Sequence, residues 1–501
     1  MAPKRLESDI DTTTRPRPPK RARIAQGGLP EEPVSSGANV LSQLWDRTLS
    51  KLEKLRDELA ACYNEISDSP KHKLDDSRWH KLLYEVDGIF NGERCGAWSS
   101  IGTLPRSSCG EGSEPFGVAD VWYMSMEELE GFCNAANPRP LDRPIVVPGQ
   151  MSEKKGLRNI RLWLEKLHDR HANSSIDTQN YAGKSTSTGT KRIPTTKLHQ
   201  SIETALGQQD RTITNERLPL NGLNLRDILD ESIPEVLKLH RFGLLSSLLA
   251  RGESGGILDM PAYTDSSAGK HRLRKPQDDV TNCRTFNLFA QRGSWSGPHT
   301  DVLGGTWVHN LGGYKAWYYV PNPTDEELQE YQRDGASWSP AEGRQKCIML
   351  CPGDYLFMMP GCRVIHSPLT VEDCLMTGGM FWDDRAIPAI LGHLAWVAQY
   401  PYVSNEPFPS EMPYVLETLK RFVKDTKDKQ RFGVEPGLKA GKDFEKEVDR
   451  FVERIKELVK CKCGTGGCKK GCPCLEAGRA CSPWCVSHAK GSGSMECRET
   501  K

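Results

Sequence analysis

The spacing of apolar residues changes period several times along this chain, and each change predicts a different element. Val40, Leu41, Leu44, Trp45, Leu52, Leu55 and Leu59 recur at helical spacing and predict one amphipathic face near the amino end. Further on, Arg284-Thr-Phe-Asn-Leu-Phe-Ala290 alternates about aromatic residues and predicts a strand, followed by a Gly/Ser/Trp turn at Gly293-Ser-Trp-Ser-Gly-Pro298. Gly312-Gly313-Tyr-Lys315-Ala-Trp-Tyr-Tyr-Val-Pro321 predicts a second strand. The segment from Gly353 to Ile365 reads as a strand, a Pro360-Gly361 turn and another short strand. Helical spacing returns at Phe444, Val448, Phe451, Val452, Ile455 and Leu458, a stripe predicted to couple the strand-rich region to the carboxyl-terminal segment. Ala172 to Asp210 and Ser266 to Pro276 are polar and predict surface insertions.

Composition sets the scale. A chain of 501 residues with 37% hydrophobic positions can fill one sizeable core and carry accessory modules. There is no uninterrupted apolar run of about 18 residues, and Ile387 to Val403 is broken by His393, Gln399 and two prolines, so a membrane span is not expected. The net charge is only +1, but it is unevenly placed. Residues 1–24 hold seven Lys/Arg against three acids and end in Arg17-Pro-Pro-Lys20-Arg21-Ala-Arg23, which predicts a disordered arm with a nuclear-import signal and no secretory leader. From Lys460 to Lys501 eight Lys/Arg face three Glu, a basic tail suited to a polyanion such as DNA.

Two groups of residues carry candidate chemistry. The first is His299-Thr-Asp301, with Lys315 14 positions and His366 65 positions beyond the Asp. Two imidazoles and a carboxylate can take one face of a ferrous ion and leave three positions open, which points to oxidation rather than hydrolysis. All three lie on or beside predicted strands, as suits a metal held inside the mouth of a small barrel. His309 and His393 are expected to be hydrogen-bonded core histidines, and Trp307, Trp317, Tyr318 and Tyr319 to be core rather than a cage for a methylated lysine. The second group is the carboxyl end, where eight of 17 cysteines fall at Cys461, Cys463, Cys468, Cys472, Cys474, Cys481, Cys485 and Cys497. That density reads as a zinc site, because thiolates around a tetrahedral metal can organise a segment too short to bury a core.

These blocks support a family resemblance. From about Val121 to about Gln399 the chain resembles a JmjC domain, through Val121-Trp-Tyr-Met-Ser-Met, the run from His299 to Pro321, and Pro360 to Trp382. The similarity is to the subgroup of histone lysine demethylases that carry F-box or PHD modules. It implies a mostly β, α+β core of the double-stranded β-helix (cupin) type with flanking helices. It also implies iron held by His299, Asp301 and His366, and 2-oxoglutarate whose distal carboxylate is met by Lys315 and by the hydroxyl of Ser296. The implied reaction decarboxylates 2-oxoglutarate to succinate, hydroxylates an N-methyl group and releases formaldehyde. The subgroup often has Asn after the Gly-Gly pair where this chain has Met380. The tail resembles a tesmin-like CXC zinc module, with His488 standing near the place of a ninth ligand and Lys469-Lys470-Gly471 in place of the Tyr that the family commonly presents to DNA.

The expected organisation is a basic arm over 1–39, a helical region over 40–118, the oxygenase over 119–400, a helical region over 401–459 and the zinc module over 460–501. The expected activity is a nuclear demethylase acting on methylated histone or another nuclear protein, with DNA as a candidate partner of the tail. A protein hydroxylase and a catalytically silent chromatin scaffold are the alternatives.

Overall fold

In a computed structural model, the described residues are 51–58, 121–134, 141–171, 175–179, 190–194, 197–200, 220–254 and 280–461, less a few positions within them, and Trp484. All of them belong to one compact unit, Trp45–Lys501. The basic arm, the 266–276 loop, most of the 40–118 region and the cysteine-rich tail beyond Cys461 lie outside the described residues, Trp484 excepted.

Strands dominate the centre. They are β1 (Trp122–Tyr123), β2 (Ile145–Val147), β3 (Ser175–Gln179), β4 (Thr190–Pro194), β5 (Asn221–Leu225) and β6 (Phe286–Ala290), then β7 (Thr306–Gly312), β8 (Lys315–Val320), β9 (Lys346–Leu350), β10 (Tyr355–Met358), β11 (Ile365–Thr370) and β12 (Cys374–Met380). Nine form one sheet in the order β1-β2-β10-β7-β12-β6-β5-β3-β4, and three form a second in the order β11-β8-β9. Every pairing is antiparallel except β1 with β2. The fold is therefore mixed α/β around a largely antiparallel core.

The second sheet has a fourth, irregular member. Main-chain bonds tie residues 293–299 along the free edge of β11: Gly293 N–H to Thr370 O at 2.8 Å, Thr370 N–H to Ser294 O at 2.8 Å, Ser296 N–H to Pro368 O at 3.1 Å, and reciprocal bonds of 3.0 and 2.9 Å between His299 and His366. Pro298 has no N–H to give, which suits an edge position. In chain order, the segment from β6 to β12 thus crosses repeatedly between the two sheets. The strands predicted within 284–290 and 312–321 are met by β6 and β8, and the one predicted after Gly353 by β10, whereas the short strand predicted to end at Ile365 instead begins there, as β11.

Core residues follow from the strand pattern. β8, β11 and β12 are buried at every position, as strands covered on both faces must be, and apart from Lys315 and His366 their residues are apolar, aromatic or small. Trp307, Trp317, Tyr318 and Tyr319 are all buried. Met380 ends β12 inside the main apolar cluster, opposite Thr306 of β7.

The helix Ile387–Gln399 is apolar nearly all round and is buried on almost every side, as an interior helix should be. It starts with Pro388 in its first turn, where a missing N–H costs nothing. The helix Leu438–Val459 packs against it and against the helix Met412–Asp425, and buries Phe444, Val448, Val452, Ile455 and Val459, a single stripe backed by charged residues. Burying each such side chain contributes roughly 1.5–3 kcal/mol.

The 172–210 segment departs from its reading as a surface insertion. Ser175–Gln179 and Thr190–Pro194 form an antiparallel hairpin, and β3 also pairs with β5, so they extend the edge of the large sheet. Its polar composition hid it, because an edge strand needs main-chain pairing more than apolar side chains.

Candidate metal centre

The bonds that join residues 293–299 to β11 bring the first two sequence-distant candidates face to face. His299 and His366 form an isolated antiparallel bridge, and their rings lie 4.2 Å apart, centroid to centroid. Directly paired residues in an antiparallel ladder project on the same side, so both imidazoles enter the same space. Asp301 follows two residues later, and its Oδ1 is 3.7 Å from Nε2 of His366. One potential ligand atom from each of His299, Asp301 and His366 lies within 4.8 Å of the others.

The tautomers are fixed by the main chain. Nδ1 of His299 lies 2.7 Å from Gly297 O, and Nδ1 of His366 lies 3.1 Å from Val364 O. A carbonyl oxygen can only accept, so each Nδ1 carries the proton and each Nε2 keeps its lone pair free for a metal. Burial, and after it the neighbouring His366, pushes His299 down to about 3, which keeps it neutral at physiological pH. Two imidazoles and a carboxylate are a donor set that can hold a divalent metal ion.

The turn carrying Asp301 is itself held. Its main-chain carbonyl accepts from Gly304 N–H at 3.0 Å and from Nε2 of His393 at 2.9 Å. Gly304 has φ +77°, and a Cβ there would come within 2.7 Å of the His393 ring, so only glycine suits this turn. His393 is fully buried in the helix Ile387–Gln399, and burial pushes it down to about 4. It is a hydrogen-bonded core histidine, as its setting in the sequence suggested, but the group it holds is the backbone of a candidate ligand. His309 instead stacks on Tyr355, with ring centroids 3.9 Å apart.

Lys315 opens β8 opposite Thr370, and His366 lies opposite Tyr319 on the same strand pair. Lys315, Thr370 and His366 therefore share one face of the small sheet. Lys315 is 4% exposed, and among the described residues no hydrogen-bond acceptor or carboxylate partners it. Burial lowers its pKa. Trp317, between the two on that face, stacks on His366 with ring planes 11° apart.

Ser296 is buried on the edge segment, where its Oγ accepts from Asn221 Nδ2 at 3.2 Å and its carbonyl accepts from Ser367 Oγ at 2.8 Å. It is thus near the triad in the chain pairing. Asn221 of β5, Thr370 and Ser294, the last two with hydroxyls 2.9 Å apart, are buried polar groups that sequence reasoning missed. Only the sheet register brings them toward this region.

Of the candidate zinc ligands, Cys461 is described: it is fully buried just beyond the helix Leu438–Val459. Cys463, Cys468, Cys472, Cys474, Cys481, Cys485, His488 and Cys497 lie outside the described residues.

No family model matches the chain. The chain is similar to "KK-1 biosynthesis cluster protein D" of Curvularia clavata, with 26% identity over 330 residues, covering 66% of this chain and 31% of that protein. The chain therefore matches about a third of that relative's length. No helix among the described residues is long and apolar enough to cross a membrane.

Proposed function

We propose that this chain is an iron- and 2-oxoglutarate-dependent oxygenase of the JmjC type, with N-methylated lysine of histones as its substrate and the nucleus as its place of action. The single observation that carries the oxygenase reading is the His299–Asp301–His366 cluster, with a buried lysine on the same sheet face that has no acidic partner among the described residues. Supporting it, the strands β6, β7, β10 and β12 of the large sheet and β8, β9, β11 and segment 293–299 of the small one alternate as the eight strands of a double-stranded β-helix do.

Each residue has a derivable task. His299 and His366, oriented by Gly297 O and Val364 O, would present Nε2 to iron, and Asp301 would supply the carboxylate. Positions 366 and 370 are roughly 13 Å apart along β11, an interval that a lysine side chain opposite position 370 and a five-carbon dicarboxylate can fill together. Lys315 would then neutralise the far carboxylate, which explains the retention of a buried cation that has no acidic partner among the described residues. Trp317 covers His366 and keeps water from that side. Iron with 2-oxoglutarate and O2 supplies the oxidising power to hydroxylate a C–H bond. A hydroxylated N-methyl group loses formaldehyde without any protein nucleophile.

The tail enters this reading as a zinc-held module, through its eight cysteines and His488, that brings the enzyme to DNA. Removing residues 460–501 and following DNA affinity across salt tests it, since unchanged affinity ends the DNA role.

The relative's name favours a second reading, an oxygenase acting on a biosynthetic intermediate. The test is succinate release by the purified full chain with Fe(II), 2-oxoglutarate and methylated histone peptides, beside His299→Ala. Turnover that needs His299 supports the oxygenase, and formaldehyde with a loss of about 14 Da on the peptide supports demethylation, whereas a gain of about 16 Da means stable hydroxylation. Metal-dependent 2-oxoglutarate turnover that no histone peptide stimulates favours the biosynthetic substrate, and no metal binding at all defeats the oxygenase.

A further inference from the structure

Away from the triad, a cleft of about 510 Å³ lies between the Gly361–Arg363 turn and the helices Ile387–Gln399 and Leu438–Val459. That volume is of the size that holds a small molecule. None of His299, Asp301, His366 or Lys315 lines it.

Two guanidiniums converge there from different elements. Arg454 comes from the later helix and is steadied by a 3.1 Å hydrogen bond to Gln399 Oε1. Arg363 comes from the turn, partly buried, with its guanidinium over the Trp396 ring at 5.5 Å. Among the described residues Arg363 has no hydrogen-bond or carboxylate partner, and Asp325 acts on it only from beyond bonding distance. Its backbone also sits at φ +48°, a conformation unfavourable for a residue with a side chain. A chain that places an unpaired arginine in that conformation, inside a cleft, holds a charge ready for an anion.

The floor gives an independent sign. Gly392 stands in the middle of a buried helix, where glycine costs stability relative to alanine. A Cβ there would meet only Arg363 Nη2 and Phe451 Cε1, both at 3.9 Å, so close packing does not demand the glycine. Its lack of a side chain leaves open the space between the cation and the aromatic ring.

We propose that this cleft binds a small aromatic anion, a carboxylate or phosphate ester, with its charge between Arg363 and Arg454 and its ring on Phe451 and Tyr400. The site would be felt at the triad. Arg363 precedes Val364, whose carbonyl orients His366, and the helix that forms the floor carries His393, which holds the Asp301 carbonyl.

The test is calorimetric titration of the full chain with phenyl phosphate, phenylacetate and, as a neutral control, benzyl alcohol. Saturable binding of either anion but not of the alcohol is expected, and which anion binds tells phosphate from carboxylate. Arg363→Gly relieves the backbone and Gly392→Leu favours the helix while filling the floor, so both should fold and both should weaken binding at least about tenfold. Absence of saturable binding to the unaltered chain, or binding that survives both substitutions, overturns the proposal.

Discussion

Nε2 of His393 donates to the main-chain carbonyl of Asp301 at 2.9 Å, so a histidine from the interior helix fixes the turn that aims a candidate metal ligand. Replacing it with leucine keeps the volume roughly constant and removes the bond, leaving Gly304 N–H alone on that carbonyl. Metal affinity should fall by about 10–100-fold, the usual effect of losing an orienting partner behind a ligand. Stability should fall by about 1–3 kcal/mol. Cobalt(II) titration of His393→Leu and thermal melts check both, and an unchanged affinity would show that the turn holds itself.

Metal addition should stabilise the chain by mass action. At a free metal concentration about 100 times Kd, the folded state gains about 2.7 kcal/mol if only it binds. The resulting rise in melting temperature should vanish in His366→Ala and survive in a His309→Ala control, since His309 stacks on Tyr355 outside the triad.

The buried pair Arg241–Asp383 makes the opposite kind of case. Nε and Nη2 of Arg241 both donate to the Asp383 carboxylate, and the two residues are 6% and 2% exposed. Arg241→Met strands a carboxylate that is also bonded by Arg385 N–H at 3.0 Å. The single substitution should cost about 3–5 kcal/mol, while adding Asp383→Leu should recover much of it, because a well-packed apolar pair replaces a buried ion pair at little net cost. Urea unfolding of the single and double variants measures the difference.

The strand Lys315–Val320 was readable because it is fully buried and rich in aromatic residues, whereas Ile365–Thr370, which carries His366, was not, since its mixed residues resemble a turn and only Ile365 fell within the predicted strand. The convergence of His299 with His366 was expected from the motif, but its cause was not: it depends on the Gly293–His299 segment lying along β11, a register that no local pattern announces. His393 illustrates the same limit. An isolated histidine on an apolar helix reads as core, and only the fold reveals which carbonyl it meets. The β3–β4 hairpin was missed because its polar residues carry no alternation.

Lys315 gives the sharpest separation of stability from function. It is 4% exposed without an acidic partner among the described residues, and burial lowers its pKa from the ordinary 10.5. A lysine whose folded pKa lies below its unfolded one binds fewer protons in the folded state, so stability rises with pH between the two values. Its charge thus costs stability in full below the folded pKa, and the cost fades as pH approaches 10.5. Lys315→Met should therefore stabilise the chain by about 1–3 kcal/mol near neutral pH and by less as pH rises. The same substitution should abolish 2-oxoglutarate-dependent turnover while leaving metal binding near its original strength, because Lys315 is not among the clustered ligands. Melting temperature, cobalt(II) affinity and succinate release measured on one preparation decide it. A variant that loses stability instead would mean that the lysine is structurally paired, and its role toward a dicarboxylate would lose its physical basis.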